Sequence, residues 1–336
     1  MSRIRMGDLR RRLRRWSVLM VTAAIGQGAS IERQMPMAPE WSGPAAARAA
    51  SVEPQRRIPF RLIRNKVILP VRVNASRELQ VILDTGMPYD GLLLYKRELR
   101  DSIGVGTFAD ARVGGAGAGA AASAVVADSV SFSVGDVTFD HQRVIVLQND
   151  LFAGFPTDGV TGYSLFGHFA VEIDYDAELI TLHEPGTRPP DDSWRRIPIA
   201  FRQNRIPWVE AVIDLEGNRR IPVSLYIDLA SGEALELLIR DDMKFALPAG
   251  LEEYLLGRGL SGDVRGYRGR VVSLDLGPFS LRDVTTAFAP AAVRSRQPGA
   301  DGVLSNNAVR RFNVIFDYQN EALYLKPNGH YREPFD

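Results

Sequence analysis

The chain has 336 residues, of which 45% are hydrophobic and 24% charged, a balance typical of globular proteins and a length sufficient for two domains. It contains no cysteine, which excludes disulfides, thiol nucleophiles and Cys-ligated zinc, and its four histidines are not spaced as metal ligands. Residues 1–15 carry a net charge of +6, so the rest of the chain, within a total of +1, carries −5. A mildly acidic body argues against a nucleic-acid partner, because binding phosphates needs a basic face.

The N-terminus has the pattern of a targeting segment. Seven arginines in residues 1–15 precede an apolar run at 16–25, which is too short to span a bilayer but suits the core of a signal peptide. We therefore predict a signal-like segment at 1–29 and an exported protein, periplasmic or extracellular, with a basic amphipathic tail or a short anchor as the alternative. No other membrane contact is expected. Residues 30–55 mix Met, Pro, Ala and Gly without a period, which predicts a disordered leader.

From residue 58 the pattern changes to short strands separated by turns, which predicts an all-β structure. The run at 79–83 is almost entirely apolar, as in a strand buried on both faces, and it ends at an Asp-Thr-Gly tripeptide at 84–86. Another strand is predicted at 92–94, followed by a short helix within 95–102.

Residues 114–119 are rich in glycine, and no helical pattern follows them, so a mobile loop or flap over 114–123 is favoured over a phosphate loop. Apolar and polar residues alternate strictly on both sides of Gly135-Asp136, which predicts a β-hairpin with its turn at this pair. The Pro- and Asp-containing stretch at 186–194 is a natural linker.

The second half repeats this plan. Strands are predicted at 209–213 and 223–227, joined by a turn at 216–218, and the second strand ends at Asp228. Tyr267 falls in a segment predicted as a mobile loop. A short helix predicted at 307–311 mirrors one at 165–168.

Three blocks of sequence recur in the same order in both halves. The first Asp loop recurs 144 residues later, residues 158–182 align on 301–325 with 9 identities in 25 positions, and residues 130–135 match 272–277. A period near 143 is the size of a whole domain and too long for a solenoid unit. We therefore predict two tandem lobes, at 56–185 and 195–328, joined by the linker at 186–194 and followed by a C-terminal tail at 329–336.

The first lobe resembles the retropepsin-like aspartic proteases. The resemblance is carried by Val-Ile-Leu-Asp-Thr-Gly at 81–86, Asp-Gly-Val-Thr-Gly at 158–162 and the strand at 169–175. The tandem arrangement is similar to exported bacterial members that carry two such lobes in one chain, as pepsin does. It implies an all-β fold of two pepsin/retropepsin-like lobes related by pseudo-twofold symmetry, with few short helices and with no metal or organic cofactor.

The resemblance also implies an activity and the residues that perform it. Asp84 and Asp228 would share one proton and activate a water against a peptide bond, since like charges a few ångströms apart cannot both ionise. Thr85 would lock the two loops together through its hydroxyl, and Gly86 would give room beside the substrate. The expected partner is an extended peptide or protein substrate bound between the lobes.

The second lobe departs from the family pattern. Leu229 stands where Thr or Ser is usual, and Ala230 stands in place of Gly. Ser231 follows and is a candidate to supply the missing hydroxyl from a shifted position. Ser305 replaces the glycine of the first lobe, and Met87 follows the first loop where a small residue is usual.

Three hypotheses therefore stand at the level of sequence. The first is an aspartic endopeptidase that uses both Asp84 and Asp228. The second is a non-catalytic peptide-binding pseudoprotease with a degenerate second loop. The third is a homodimer in which two copies of Asp84 meet across a dimer axis.

Overall fold

The computed structural model describes residues 56–202, 204–215, 219–294 and 297–335. The signal-like segment predicted at 1–29, the leader predicted at 30–55 and the turn predicted at 216–218 lie outside the described residues. Within them, the fold is nearly all β, with only short helices. None of the helices described is both long enough and apolar enough to cross a membrane.

The first half of the described chain holds eleven strands and two single-turn helices. They are β1 (Arg56–Pro59), β2 (Arg61–Ile63), β3 (Lys66–Val73), β4 (Leu79–Leu83), β5 (Gly91–Leu94), α1 (Leu99–Ser102), β6 (Ala109–Val113), β7 (Ala122–Val134), β8 (Val137–Leu147), β9 (Gly159–Thr161), α2 (Tyr163–Phe166), β10 (Ala170–Asp174) and β11 (Leu179–His183).

The second half repeats this number of strands and helices. They are β12 (Arg195–Pro198), β13 (Ala200–Phe201), β14 (Pro207–Asp214), β15 (Arg220–Asp228), β16 (Leu235–Ile239), β17 (Glu252–Gly259), β18 (Gly262–Leu276), β19 (Phe279–Pro290), α3 (Ala291–Arg294), β20 (Gly302–Ser305), α4 (Asn306–Val309), β21 (Phe312–Asp317) and β22 (Ala322–Pro327), with a short 3-10 turn at Tyr318–Asn320.

Each half builds its own eight-stranded sheet, and the two sheets have the same topology. The first has the order β2-β3-β4-β9-β5-β8-β7-β6, with β3 also pairing with β7. The second has the order β13-β14-β15-β20-β16-β19-β18-β17, with β14 also pairing with β18. Every strand of the second sheet is thus the counterpart of the strand eleven places earlier. This arrangement confirms the predicted fold class of two tandem all-β lobes related by pseudo-twofold symmetry.

A six-stranded sheet joins the two lobes, in the order β1-β11-β10-β21-β22-β12. At its centre β10 and β21 run antiparallel, with Val171 opposite Phe316 and Ile173 opposite Val314. The twofold exchanges these two pairs, so its axis passes between these strands. The outer strands β1 and β12 carry the same tetrapeptide, Arg-Arg-Ile-Pro, and each pairs with the last strand of its own half.

The strand that leads to the first Asp loop follows directly from its sequence. Strand β4 is buried along almost its whole length because it lies between β3 and β9 inside a closed sheet. The predicted hairpin is formed by β7 and β8, and Gly135 at its turn has a φ of +56°, a conformation that glycine adopts without strain. The predicted linker contains no helix or strand, and its last residue, Trp194, is buried.

One loop prediction was wrong, and a second needs adjustment. Tyr267 does not lie in a loop: it lies within β18, where it pairs with Phe288 of β19 and with Glu253 of β17. Gly262 and Gly266 had indicated a loop at 262–267, but the hydrogen bonds to both neighbouring strands outweigh the cost of glycine in the strand. The glycine-rich segment predicted as a flap does connect β6 to β7, but it ends earlier than predicted, because β7 begins at Ala122.

Each lobe buries one acid that begins an Asp-Gly-Val segment. Asp158 is almost fully buried and accepts hydrogen bonds from Arg77 at 2.8 and 3.0 Å, from Lys96 at 2.7 Å and from the backbone N–H of Gln80 at 2.9 Å. Its counterpart Asp301 accepts hydrogen bonds from the same kinds of donor: the side chains of Arg240 and Lys244 and the backbone N–H of Ser224. The identity of this residue in the two halves therefore has a structural cause.

Hydrogen bonding controls the charge of Asp158. Burial alone would raise the pKa of this carboxyl, but the bonds from Arg77, Lys96 and Gln80 outweigh it and lower the pKa to about 2. Because this value lies below that of the unfolded chain, the carboxylate contributes stability that is present above about pH 4 and lost as the pH falls through about 2.

We predict that Asp158→Asn lowers the free energy of unfolding by about 2 kcal/mol at pH 7, because it removes charged hydrogen bonds from a buried acceptor. The loss should shrink as the pH approaches 2, where the native carboxyl is protonated. Urea unfolding between pH 2 and 7 measures both effects. Asp110→Asn, an exposed change on β6, is the control. Equal stability of the two variants at pH 7 would contradict the prediction.

Candidate active site

The two Asp loops meet at the boundary between the lobes. Asp84 directly follows β4, and Asp228 ends β15, the counterpart of β4. A Cβ atom added to Gly86 would lie 2.9 Å from Oδ1 of Asp84 and 3.6 Å from Cγ of Asp228. Both carboxylates therefore lie beside one glycine, and a side chain at this position would crowd the carboxylate of Asp84.

Backbone N–H groups hold both carboxylates. Gly86 donates to Oδ1 of Asp84 at 2.6 Å, and Ser231 donates to Oδ1 of Asp228 at 3.0 Å. The N–H of Ala230, in the second lobe, also donates to Asp84. Each loop thus orients its own aspartate, and the second loop reaches across to the first.

Thr85 joins the two loops. Its hydroxyl donates to the carbonyl oxygen of Ile227 at 2.7 Å and accepts from the N–H of Leu229 at 3.2 Å. Thr85 is 2% exposed and Leu229 is fully buried, so these bonds are shielded from water. Because Leu229 has no hydroxyl, its side chain cannot make the equivalent hydrogen bonds to the first loop. Thr85 alone supplies the side-chain hydrogen bonds of this link.

The two carboxylates influence each other electrostatically. Burial, followed by the nearby charge of Asp228, raises the pKa of Asp84 to about 8, against the opposing effects of the N–H groups and of Arg294. Two neighbouring carboxylates in a site of low polarity cannot both ionise without a large cost. At neutral pH the pair therefore holds one proton.

The second lobe places a cation on Asp228 that sequence reasoning missed. Arg294, at the end of α3, donates to Oδ2 of Asp228 at 3.0 Å through Nη2. The same guanidinium donates to both carboxylate oxygens of Glu236 on β16 and to the hydroxyl of Tyr226. The side chains of Arg294 and Glu236 are 12% and 4% exposed, so this is a buried ion network rather than a surface pair.

A second ion pair lies beside this network. Arg268 donates to Glu233 at 2.6 Å, and the Glu233 side chain is 12% exposed. Lys66 of β3 reaches the same region from the first lobe, and burial lowers the pKa of its amine despite the nearby charges of Asp228, Glu233 and Glu236. The second-lobe side of the site is therefore charged.

The predicted flap of the first lobe contacts a hairpin tip of the second. The N–H of Gly119 donates to the carbonyl of Ser261 at 2.7 Å, and the N–H of Ser261 donates to the carbonyl of Ala116 at 2.9 Å. A Cβ on Gly117 would lie 2.2 Å from the carbonyl carbon of Ser261, so the close approach requires glycine. The N–H of Gly117 also donates to the carbonyl of Val293 at 2.7 Å, next to Arg294.

Some of the predicted supporting roles are changed by the structure. Ser231 does lie beside Asp228, but its hydroxyl donates to Glu236 at 2.7 Å, within its own lobe. It does not replace the missing interlobe hydroxyl, because its hydrogen bond stays within the second lobe. Ser305 is fully buried at the start of α4, and Met87 packs in the apolar cluster of the first lobe together with Ala230.

One of the missed residues had a signal in the sequence. Glu236 is the single acid within the apolar run at 234–239, where a charge is unexpected unless it has a buried partner. Arg294 had no such signal, since the stretch around it shows neither alternation nor helical periodicity.

Comparison with known proteins agrees with this architecture at the level of the fold. No protein-family model matches the chain, and no curated protein matches it by sequence. Among solved structures, the chain is similar to an aspartic proteinase from Irpex lacteus, with a TM-score of 0.53 and 11% sequence identity. The match covers 84% of this chain and 100% of that one. At this identity the likeness shows a shared pepsin-like fold.

We predict that Thr85→Val lowers the free energy of unfolding by about 3 kcal/mol, because it leaves a buried N–H and a buried carbonyl without their partner. Thr85→Ser keeps the hydroxyl and should retain most of the stability. Urea unfolding at one pH compares the two variants with the native chain. If valine were tolerated and serine were not, packing of the methyl group rather than the hydrogen bonds would hold the loops.

A second prediction concerns the proton on Asp84. Its folded-state pKa of about 8 lies above the ordinary value of 3.8. The protonated carboxyl therefore contributes stability that is fully present below about pH 4 and is lost as the pH rises through about 8. We expect the free energy of unfolding to fall by about 1 kcal/mol per pH unit across this range. Asp84→Asn cannot lose a proton, so this variant should be more stable than the native chain at pH 8.

Urea unfolding from pH 4.5 to 8.5 measures this dependence. Asp110→Asn, on an exposed strand, should keep the native slope. Parallel curves for Asp84→Asn and the native chain would show that Asp84 does not take up a proton on folding.

Proposed function

We propose that this protein is an aspartic endopeptidase that hydrolyses peptide bonds in an extended substrate held between its two lobes. The observation that carries the proposal is the meeting of Asp84 and Asp228, from equivalent loops of the two lobes, on either side of Gly86. The raised pKa of Asp84 supports a pair that holds one proton at neutral pH. A pepsin-like fold is consistent with this chemistry but does not establish it.

The reaction needs only the two carboxylates and a water. The ionised carboxylate takes a proton from the water, whose oxygen attacks the peptide carbonyl carbon, while the protonated carboxyl donates to the carbonyl oxygen. The resulting tetrahedral intermediate then collapses. Its C–N bond breaks as the carboxyl that took the proton of the water donates it to the leaving nitrogen. A hydroxyl of the intermediate returns its proton to the other carboxylate as the C=O bond of the new acid forms, so the pair is again singly protonated. In this proposal no metal or organic cofactor takes part.

The surroundings of the pair support an extended peptide as the substrate. An apolar cluster of the first lobe continues beside the site through Met87 and meets Ala230 and Leu260 of the second lobe. The backbone-to-backbone contact between the loop at 114–121 and the tip at Ser261 shows that these tips form strand-like hydrogen bonds. We propose that the tips part to admit the peptide and then bond to its backbone instead of to each other.

A second candidate function is non-catalytic peptide binding. The observation that favours it is the Arg294 guanidinium, a buried cation bound directly to one of the two carboxylates. The link between the loops also favours peptide binding without catalysis, because Leu229 has no hydroxyl to match that of Thr85. A peptide-binding protein would keep the cleft and lose the chemistry.

The proposed place of action is outside the cytoplasm, in the periplasm or the medium. Its support is the arginine-rich stretch at 1–15, which is followed by a short apolar run. The substrate would then be an exported or external protein.

We predict that the purified chain cuts unfolded casein between pH 3 and 8, and that Asp84→Asn and Asp228→Asn each lower kcat/KM by at least about 100-fold, because each removes a proton-transfer group. Asp110→Asn is the control variant and should cut normally. Both aspartate variants should still bind a fluorescent peptide, which separates loss of chemistry from loss of the fold.

The other outcomes identify the alternatives. Cutting that is abolished by Asp84→Asn but not by Asp228→Asn, and that falls when the protein is diluted, would indicate a homodimer that uses two copies of Asp84. Peptide binding without cutting by the folded native chain at every pH would favour the binding protein.

A further inference from the structure

The two carboxylates of the pair have unequal surroundings. Asp228 accepts a hydrogen bond from the Arg294 guanidinium at 3.0 Å as well as one from the backbone. Asp84 instead accepts hydrogen bonds from the backbone N–H groups of Gly86 and Ala230. A cation in direct contact favours the charged form of a carboxylate far more than a neutral N–H does.

We propose that Arg294 is a positioning residue that keeps Asp228 ionised and thereby fixes the shared proton on Asp84. This inference rests on the proposed function, because it assigns the two roles in that reaction. Asp228 is then the general base that takes the proton from water. Asp84 is the general acid that donates to the carbonyl oxygen of the substrate. A symmetric pair of carboxylates would leave this assignment open.

The charges around Arg294 lead to the same assignment. Three acids face this part of the site from the second lobe, Asp228, Glu233 and Glu236, and three cations accompany them, Lys66, Arg268 and Arg294. These charges cancel when all six groups are ionised. An ionised Asp84 would add one uncompensated negative charge to a buried site, whereas a protonated Asp84 leaves the group neutral.

Of the remaining titratable neighbours, the tyrosines are neutral, and the cation Arg64 is exposed, so water screens its charge. Tyr89, Tyr95 and Tyr318 lie near Asp84, and burial raises the pKa of each phenol, so all three are neutral at pH 7. Tyr226 offers its hydroxyl oxygen to Arg294. Arg64 lies near Lys66, where its charge helps to lower the pKa of that amine.

The position of Arg294 is fixed by its other bonds. Its guanidinium spans Glu236 and Asp228, and the Glu236 carboxylate is in turn held by the hydroxyl of Ser231. The preceding residue, Val293, accepts a hydrogen bond from Gly117 of the first-lobe loop. A planar guanidinium can bridge two carboxylates in this way, whereas an ammonium on a flexible chain holds the geometry less well.

The first test does not require catalysis. It starts from Asp84→Asn, in which the proton of the pair is replaced by an amide. In this variant the site should not make the free energy of unfolding fall between pH 4.5 and 8.5, because Asp228 stays ionised beside Arg294. Adding Arg294→Gln together with Glu236→Gln removes the cation and its buried counterion in one step. Asp228 should now take up about one proton on folding, which restores a loss of stability with rising pH.

The matched controls isolate the contact between Arg294 and Asp228. Glu236→Gln alone keeps the cation, and Arg268→Gln with Glu233→Gln removes the neighbouring ion pair instead. Neither should restore the loss in the Asp84→Asn background. If the variant lacking Arg294 behaves like these controls, Arg294 does not keep Asp228 ionised and the proposal is overturned. Arg294→Lys with native Glu236 keeps the positive charge and should likewise not restore the loss, whereas Arg294→Met with Glu236→Gln removes the same two charges in case the glutamine pair fails to fold.

The second test is the pH profile of kcat/KM on unfolded casein. Removing a cation makes each protonation of the pair easier, so Arg294→Gln with Glu236→Gln should move both pH limits of activity upward by at least about one unit. Arg268→Gln with Glu233→Gln should leave both limits in place, and Arg294→Lys should restore them in part. An unshifted profile in a variant that still cuts would overturn the proposal. Absence of cutting by the native chain would instead count against the proposed function, while the stability test still decides the role of Arg294.

Discussion

Two carboxylates that share one buried position impose the main constraint on this molecule. Repulsion between Asp84 and Asp228 would oppose the contact between the two loops if both were charged, so the fold has to hold the loops together and to accommodate one proton. The hydroxyl of Thr85 provides the direct link, and the pairing of β10 with β21 sets the axis about which the loops meet. The closed sheets beneath them bring β4 and β15 to the same end of that axis.

Duplication produced the symmetry of the fold, but the two loops have since taken different roles. The first keeps the hydroxyl at Thr85 and leaves its aspartate to backbone donors. The second has Leu229 in the equivalent position, without a hydroxyl, and carries a buried ion network built on Arg294 and Glu236. A symmetric site would distribute the proton equally over its two halves. The asymmetry of this one is therefore an electrostatic feature, added to a backbone that remains nearly twofold.

The sequence predicted the parts of this structure that depend on local pattern. Alternation and turn residues identified the strand at Leu79–Leu83 and the hairpin at Gly135, and the internal repeat identified both aspartates. The repeated Arg-Arg-Ile-Pro of β1 and β12 was a further signal that went unused. Arg294 could not be predicted, because its role depends on which side chains the fold brings to it from β15 and β16. Tyr267 was misassigned because glycines indicate loops locally, while pairing on both sides is decided by the sheet.

The same residue type serves opposite purposes in this fold, and the difference lies in the donors. Asp158 is buried among an arginine, a lysine and a backbone N–H, and these lower its pKa to about 2. Asp84 is buried with backbone N–H groups and beside another carboxylate, and its pKa is raised to about 8. Between these limits the structural acid is ionised, as its partners require, while the site keeps its proton. The lower of these two pKa values is set by residues within one lobe, and the higher is set at the boundary between the lobes. A change in one need not alter the other, because additivity holds for sites that share no partners.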